Sequence, residues 1–264
     1  MTYLTSVLKR HEVLIFCVLT LGLSFAAYFL PFPSEARALG FSMVVVFIPV
    51  SVASLLTVLT QGWSGVRDLL AQAVRWRMGW QRFLQIIALC LAIRFVVNII
   101  AFLFGWVSDL QIGEFSPFLI MVYIFAAGEE LGWRGFALPR LLKQHAPLTA
   151  SLILGIPWAT LHLILLLPGM LSEGAPPVAQ FTVILALSVM LTWVYLKSGS
   201  SGVCAAILLH GTQNLLAFLN AHVEVTRATW LMALTYSAAA ILLVVIDSRV
   251  WQRTPIPETV VASS

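Results

Sequence analysis

Residues 38–60, ALGFSMVVVFIPVSVASLLTVLT, run for 23 positions without a charged side chain. Such a stretch crosses hydrocarbon only as a helix, because a helix satisfies its own backbone N–H and C=O groups where no water can. About eight runs of this kind follow one another: Val13–Leu30, Ala38–Thr60, Phe83–Trp106, Phe115–Gly135, Leu148–Leu171, Val178–Leu196, Gly202–Asn220 and Ala228–Ile246. The expected fold is an all-α polytopic membrane protein.

Composition excludes the soluble alternative. Of 264 residues, 60% are hydrophobic and 10% charged, against about 45–50% and about 25% in an ordinary soluble domain. That is too few charges to cover a water-facing exterior. The net charge of +4 comes from short basic clusters between apolar runs, so it reads as a topology signal and not as a nucleic-acid surface. Cys17, Cys90 and Cys204 lie far apart inside apolar runs, with no zinc spacing, and read as buried free thiols. The first run follows Lys9 and Arg10 as in a secretory signal, but its length and the lack of a small-residue cleavage site favour a retained span.

With the amino terminus in the cytoplasm, Lys9, Arg10, Arg67, Arg75, Arg77, Arg82, Arg134, Arg140, Lys143, Lys197, Arg249 and Arg253 fall on that side, leaving Arg37 and Arg227 outside. Losing or adding one span would scramble that bias, so both termini are expected to be cytoplasmic. Between the second and third runs, residues 62–81 place Val66, Leu69, Leu70, Ala73 and Val74 on one helical face. This reads as an interfacial amphipathic helix, anchored at the headgroups by Trp76 and Trp80 beside Arg75, Arg77 and Arg82. Residues 1–253 read as a single membrane domain, and 254–264 as a disordered cytoplasmic tail.

An ionisable group inside a bilayer costs several kcal/mol, so each one is a functional hypothesis. Glu130 and Arg134 stand four apart on a helix, the spacing at which a carboxylate meets a guanidinium. Glu129 lies about 100° round the helix and points elsewhere, free to act as a base. The plainer reading is that this pair only marks the cytoplasmic end of the fourth span. Trp158 and His162 share one face of the fifth span, and His210 and Asn214 one face of the seventh. Either His alone reads more readily as packing than as catalytic, but together Glu, His and Asn supply the base, proton carrier and neutral donor that water attack on a carbonyl requires.

These residues resemble the CAAX-prenyl endopeptidase and bacteriocin-processing (CPBP) family of intramembrane proteases. The resemblance covers about residues 115–220 and rests on three motifs: Glu129, Glu130, Arg134 and Gly135; an aromatic four residues before a histidine, here Trp158 and His162; and His210 with Asn214. Trp158 stands where the family usually has Phe. The resemblance implies an eight-helix fold in which Glu129 and His162 activate water and His210 and Asn214 hold the oxyanion. Arg134 would then order the acidic motif, with Glu130 mainly structural.

Metal-free hydrolysis is the favoured expectation. Zinc held by Glu129, His162 and His210 stays open, although no HExxH is present and the ligands would have to converge from three helices. Arg94, near the middle of the third span with Asn98 one turn on, is expected to reach a carboxylate of the fourth span or of a substrate, or else to form a structural interhelical pair. The expected partners are membrane lipid and a membrane-associated peptide or lipidated protein. The competing reading is a non-catalytic membrane binding or bacteriocin self-immunity protein. A proton-coupled transporter is a third, without the repeated halves that would support it.

Overall fold

The computed structural model describes residues 3–107, 120–219 and 223–252, and among these residues every regular element is helical. The tail expected over 254–264 lies outside them. In chain order the helices are α1 (Tyr3–Ala27), α2 (Arg37–Val45), α3 (Ile48–Ala71), α4 (Gly79–Leu103), α5 (Met121–Glu130), a π-helical segment (Leu131–Ala137), α6 (Leu138–Leu141), α7 (Pro147–His162), α8 (Pro177–Lys197), α9 (Gly202–Leu219), α10 (Val225–Ile246) and α11 (Ser248–Trp251).

Six helical stretches among the described residues are long and apolar enough to cross a membrane. They correspond to the first, second, third, fifth, sixth and eighth expected runs. The fourth begins in residues that are not described and continues as α5 and the π segment; the seventh is α9. Solvation is inverted relative to a soluble protein. Leu14, Leu234, Val245 and Ile246 face outward, while Glu130, Arg134, Ser151, Ser188 and Thr192 are fully buried. That is the arrangement hydrocarbon demands.

Two expected runs, and the amphipathic segment that follows the first of them, are cut differently by glycine and proline. The run Ala38–Thr60 is two helices, broken at Val46 and Phe47, because Pro49 has no N–H to offer the carbonyl of Val45. Further on, Gly62 takes φ +77 and separates the spanning part of α3 from residues 63–74, where the amphipathic helix was expected. On that segment Val66 and Leu69 are buried, but Leu70 and Val74 are exposed, so its buried stripe is narrower than the spacing predicts. The fifth run, expected to reach Leu171, stops as an α-helix at His162. After one 3-10 turn Leu167 is extended (ψ 157), as Pro168 requires of the residue before it.

The end contacts fix how the spans alternate. Glu12, one residue past the kink of α1 at His11, pairs with Arg140 after the π segment at 2.8 Å, and Lys197 at the end of α8 pairs with Asp247 after α10 at 2.7 Å. The Arg77 backbone N–H donates to Ser201 Oγ, placing the α3–α4 loop beside the α8–α9 loop. The basic loops therefore gather at one end, while Arg37 binds the Tyr28 carbonyl at the other, 2.9 Å away. Lys197, and after it Trp193, hold the Asp247 carboxyl below its usual range. Arg134 does not belong with the loop charges: it is fully buried. Cys17 is half-buried, whereas Cys90 and Cys204 are buried, and all three are free thiols.

Small residues bring the helices that carry the motifs into contact. A Cβ on Gly132 would sit 2.6 Å from the backbone of Pro49 in α3, and one on Gly211 would strike the ring of Tyr123, which fastens α5 to α9. The Tyr123 hydroxyl also shares a hydrogen bond with Thr212 Oγ1 at 3.1 Å. Because backbone cannot yield as a side chain can, Gly132→Ala should lose about 1–3 kcal/mol of stability. The check is a lower thermal or dodecyl-sulfate unfolding midpoint. Gly22→Ala, whose added methyl would meet nothing within 4 Å, should leave that midpoint unchanged.

Candidate active site

The motif residues converge on one indole ring. Trp158, fully buried on α7, donates from Nε1 to Glu129 Oε2 on α5 at 2.7 Å. The Arg134 guanidinium lies over its ring face, 4.3 Å from the centroid. The rings of His162 and His210 stand nearly perpendicular to it, at centroid distances of 5.3 Å and 5.5 Å. One side chain thus touches the acidic motif and both histidines. Phenylalanine would offer the same ring without the N–H, so the tryptophan replaces an apolar edge by a donor aimed at a carboxylate.

The adjacent carboxylates have different partners. Glu130 Oε1 accepts from Arg134 Nη1 at 3.3 Å and from His210 Nδ1 at 2.8 Å, in a site with no exposure at either Glu130 or Arg134. Arg134 Nη2 donates onward to Ser188 Oγ at 3.1 Å, and that hydroxyl donates to the Ser151 carbonyl at 3.0 Å. Glu130 is therefore enclosed in a charge-compensated network joining the π segment, α9, α8 and α7. Glu129 has no cationic partner of its own among the described residues. Its Oε2 is held by Trp158, and Oε1 makes no hydrogen bond to them.

Local geometry sets the histidine tautomers. His162 Nδ1 lies 2.9 Å from the Trp158 carbonyl. A carbonyl oxygen only accepts, so Nδ1 carries the proton and Nε2 is left as an acceptor in the neutral ring. His162 is also the last residue of α7, and the next turn is 3-10. It lies about 22 Å along the helix from Pro147, against about 12 Å for His210 along α9 at 1.5 Å per residue. Trp158, one turn earlier, bridges that difference in depth. His210 presents Nδ1 to Glu130, which orients its ring as a carboxylate orients many functional imidazoles. Asn214 is half-buried one turn further along α9.

The π segment places Arg134. A π turn carries an extra residue per turn and widens the helix, and such turns recur at functional sites. Here it spans Leu131–Ala137 and ends before Pro139, which cannot donate to the carbonyl of Gly135. The widened turn carries Arg134 between Glu130 and Trp158.

Arg94 is not brought to this cluster by an ion pair. It is buried on α4 near Cys90 and Tyr236, with no ion pair to a carboxylate of α5 among the described residues. Ser188 and Ser151 were missed in the sequence. They are single hydroxyls in apolar runs, and nothing in their spacing marks them apart from Thr182 or Thr192, which bond only within their own helix.

A metal centre would need convergent ligands. Among the described residues no three His, Cys, Asp or Glu side chains are grouped to hold a metal ion. His210 Nδ1, His162 Nδ1 and Glu129 Oε2 each face another partner.

Residues 111–216, the segment that contains Glu129, Glu130, Arg134, Trp158, His162 and His210, match the family described as type II CAAX prenyl endopeptidase Rce1-like. Over this segment, about two-fifths of the chain, the protein is similar to that family. It is also 31% identical over 137 residues to CAAX prenyl protease 2 of Methanococcus maripaludis, covering 49% of this chain and 50% of that protein. The chain thus matches about half the length of that curated relative. The Rce1-like match begins at residue 111, so α1 to α4 stand outside it, and yet α3 is the helix against which Gly132 packs.

Proposed function

We propose that this protein is a metal-independent intramembrane endopeptidase of the CAAX-processing kind, acting near the carboxyl terminus of a lipidated or membrane-tethered peptide. The observation that carries this reading is the unneutralised Glu129 carboxylate, held at one oxygen by Trp158 beside a histidine whose Nε2 is available. The name of the Methanococcus maripaludis relative supports the substrate class.

In this mechanism Glu129 Oε1 takes a proton from water while the water oxygen attacks the scissile carbonyl carbon. His162 Nε2 accepts a hydrogen bond from that water, then takes the proton from Glu129 and delivers it to the amide nitrogen as the C–N bond breaks. The tetrahedral oxyanion forms toward α9, where the Asn214 amide donates to it and His210, as an imidazolium balanced by Glu130 at Nδ1, donates from Nε2. Glu130 keeps His210 oriented, and Arg134 holds the Glu130 carboxylate in place. The direct test is cleavage of fluorogenic peptides in proteoliposomes, prenylated and unprenylated, with and without a chelator. Cleavage of the prenylated series that withstands the chelator is expected. Chelator-sensitive cleavage would replace the mechanism, and a panel that widens without any cleavage would shift the reading to a binding protein.

Trp158→Phe separates positioning from packing. A six-membered ring is kept between Arg134 and the histidines, and the N–H to Glu129 is lost together with part of the indole volume, so the thermal midpoint is measured beside the kinetics to separate the two losses. A hydrogen bond to a charged group is worth about 1.5–3 kcal/mol, so kcat should fall about 10- to 100-fold with KM little changed. An unchanged kcat would show that Glu129 needs no such hold.

A further inference from the structure

Away from the indole cluster, at the end where the basic loops gather, a cleft of about 730 Å³ opens between the start of α4 and the α8–α9 loop. Its lining includes Arg77, Arg82, Gln85, Lys197, Ser198 and Ser200. Three cations therefore face one space. Lys197 is compensated by Asp247 at 2.7 Å. Arg82 bonds only the neutral Gln85 Oε1, at 2.7 Å, and stacks over the Trp193 ring. The Arg77 side chain makes no ion pair with the described residues. The balance is two positive charges.

Two further observations point to an anion. The Ser198 hydroxyl is buried, lines the cleft, and has no hydrogen-bond partner among the described residues. A buried hydroxyl without a partner is uncommon and calls for an explanation. The 25-residue helix α4 also begins in the cleft with no side-chain cap, so its first backbone N–H groups and the positive end of its dipole are directed there. The volume lies within the range of small-ligand sites and is far larger than a bare phosphate needs.

The cleft is set at a membrane boundary. Val74, Trp76 and Trp80 beside it are exposed, and indole rings with flanking arginines favour the headgroup layer. We propose that this cleft binds the phosphodiester headgroup of an acidic phospholipid. Arg77 and Arg82 grip the phosphate, Ser198 donates to it, and the rest of the headgroup fills the remaining volume. The acyl chains leave past Trp76 and Trp80. The site is separate from the Glu129 cluster and does not depend on the proteolytic reading.

The test uses the full chain in nanodiscs of phosphatidylcholine, titrated with phosphatidylglycerol and read by bound-lipid count in native mass spectrometry and by the thermal midpoint. One phosphatidylglycerol should be retained per chain by the wild type. Arg77→Gln/Arg82→Gln should bind it about 30-fold more weakly, as expected when two basic contacts to an anionic headgroup are removed. Both variant side chains lie at the surface or half-buried, so the midpoint in phosphatidylcholine alone should equal that of the wild type. Ser198→Ala should weaken binding in the same direction and by less. Equal retention of the two lipids, or equal binding by wild type and double variant, would overturn the proposal. Displacement of phosphatidylglycerol by inorganic phosphate or glycerophosphate at matched concentration would overturn it in favour of a soluble anion.

Discussion

Glu129→Gln is expected to abolish peptide hydrolysis, lowering kcat by about 10²- to 10⁴-fold while leaving the thermal midpoint close to that of the wild type. The amide preserves the shape of the carboxylate and its acceptor oxygen, so the hydrogen bond from Trp158 Nε1 can persist. Only the base is lost. Because Glu129 forms no ion pair among the described residues, no other charge is stranded by the change. Equal cleavage by wild type and variant, in parallel preparations with the same membrane-tethered peptides, would remove Glu129 from the chemistry.

Glu130→Ala should behave in the opposite way and act on the fold. Its carboxylate is the shared partner of Arg134 and His210, at 3.3 Å and 2.8 Å, and its removal leaves a fully buried guanidinium without its anion. Breaking a buried pair by deleting one member costs about 3–5 kcal/mol, because the survivor remains desolvated and uncompensated. The variant should lose most of its folded yield in detergent and show a much lower unfolding midpoint. Removing both charges, as in Glu130→Leu/Arg134→Met, should recover much of that stability, since a well-packed apolar pair avoids the desolvation cost. Activity should stay low even so, because His210 loses the carboxylate that orients it. A Glu130→Ala variant as stable as the wild type would mean that this pair is hydrated and not enclosed. Together the two substitutions separate the roles of adjacent residues: one acts on the reaction, its neighbour on the structure that holds it.

What the sequence determined by itself follows from the solvent. In hydrocarbon each apolar run must close its own backbone hydrogen bonds, so the helical class and the approximate positions of the runs are local properties, readable residue by residue. The Glu130–Arg134 spacing is equally local, since both residues ride one stretch of helix. Helix breaks were less legible. Pro49, Gly62 and Pro168 are visible in the sequence, but whether such a residue bends, breaks or merely interrupts a helix depends on what packs there, and Pro157 lies within α7.

Only the tertiary structure decided what each polar group faces. The spacing placed Trp158 and His162 on one face, and His210 and Asn214 on another, but no periodicity says that an indole N–H on α7 meets a carboxylate on α5. Nor does it say that the His210 ring turns to Glu130, that Ser188 receives Arg134, or that Arg94 makes no ion pair with α5 among the described residues. Those contacts join residues 29 to 80 positions apart. They are set by how closely helices approach, which Gly132 and Gly211 permit by having no Cβ. The sequence names the charged groups that hydrocarbon cannot leave alone, and the packing of the helices chooses their partners.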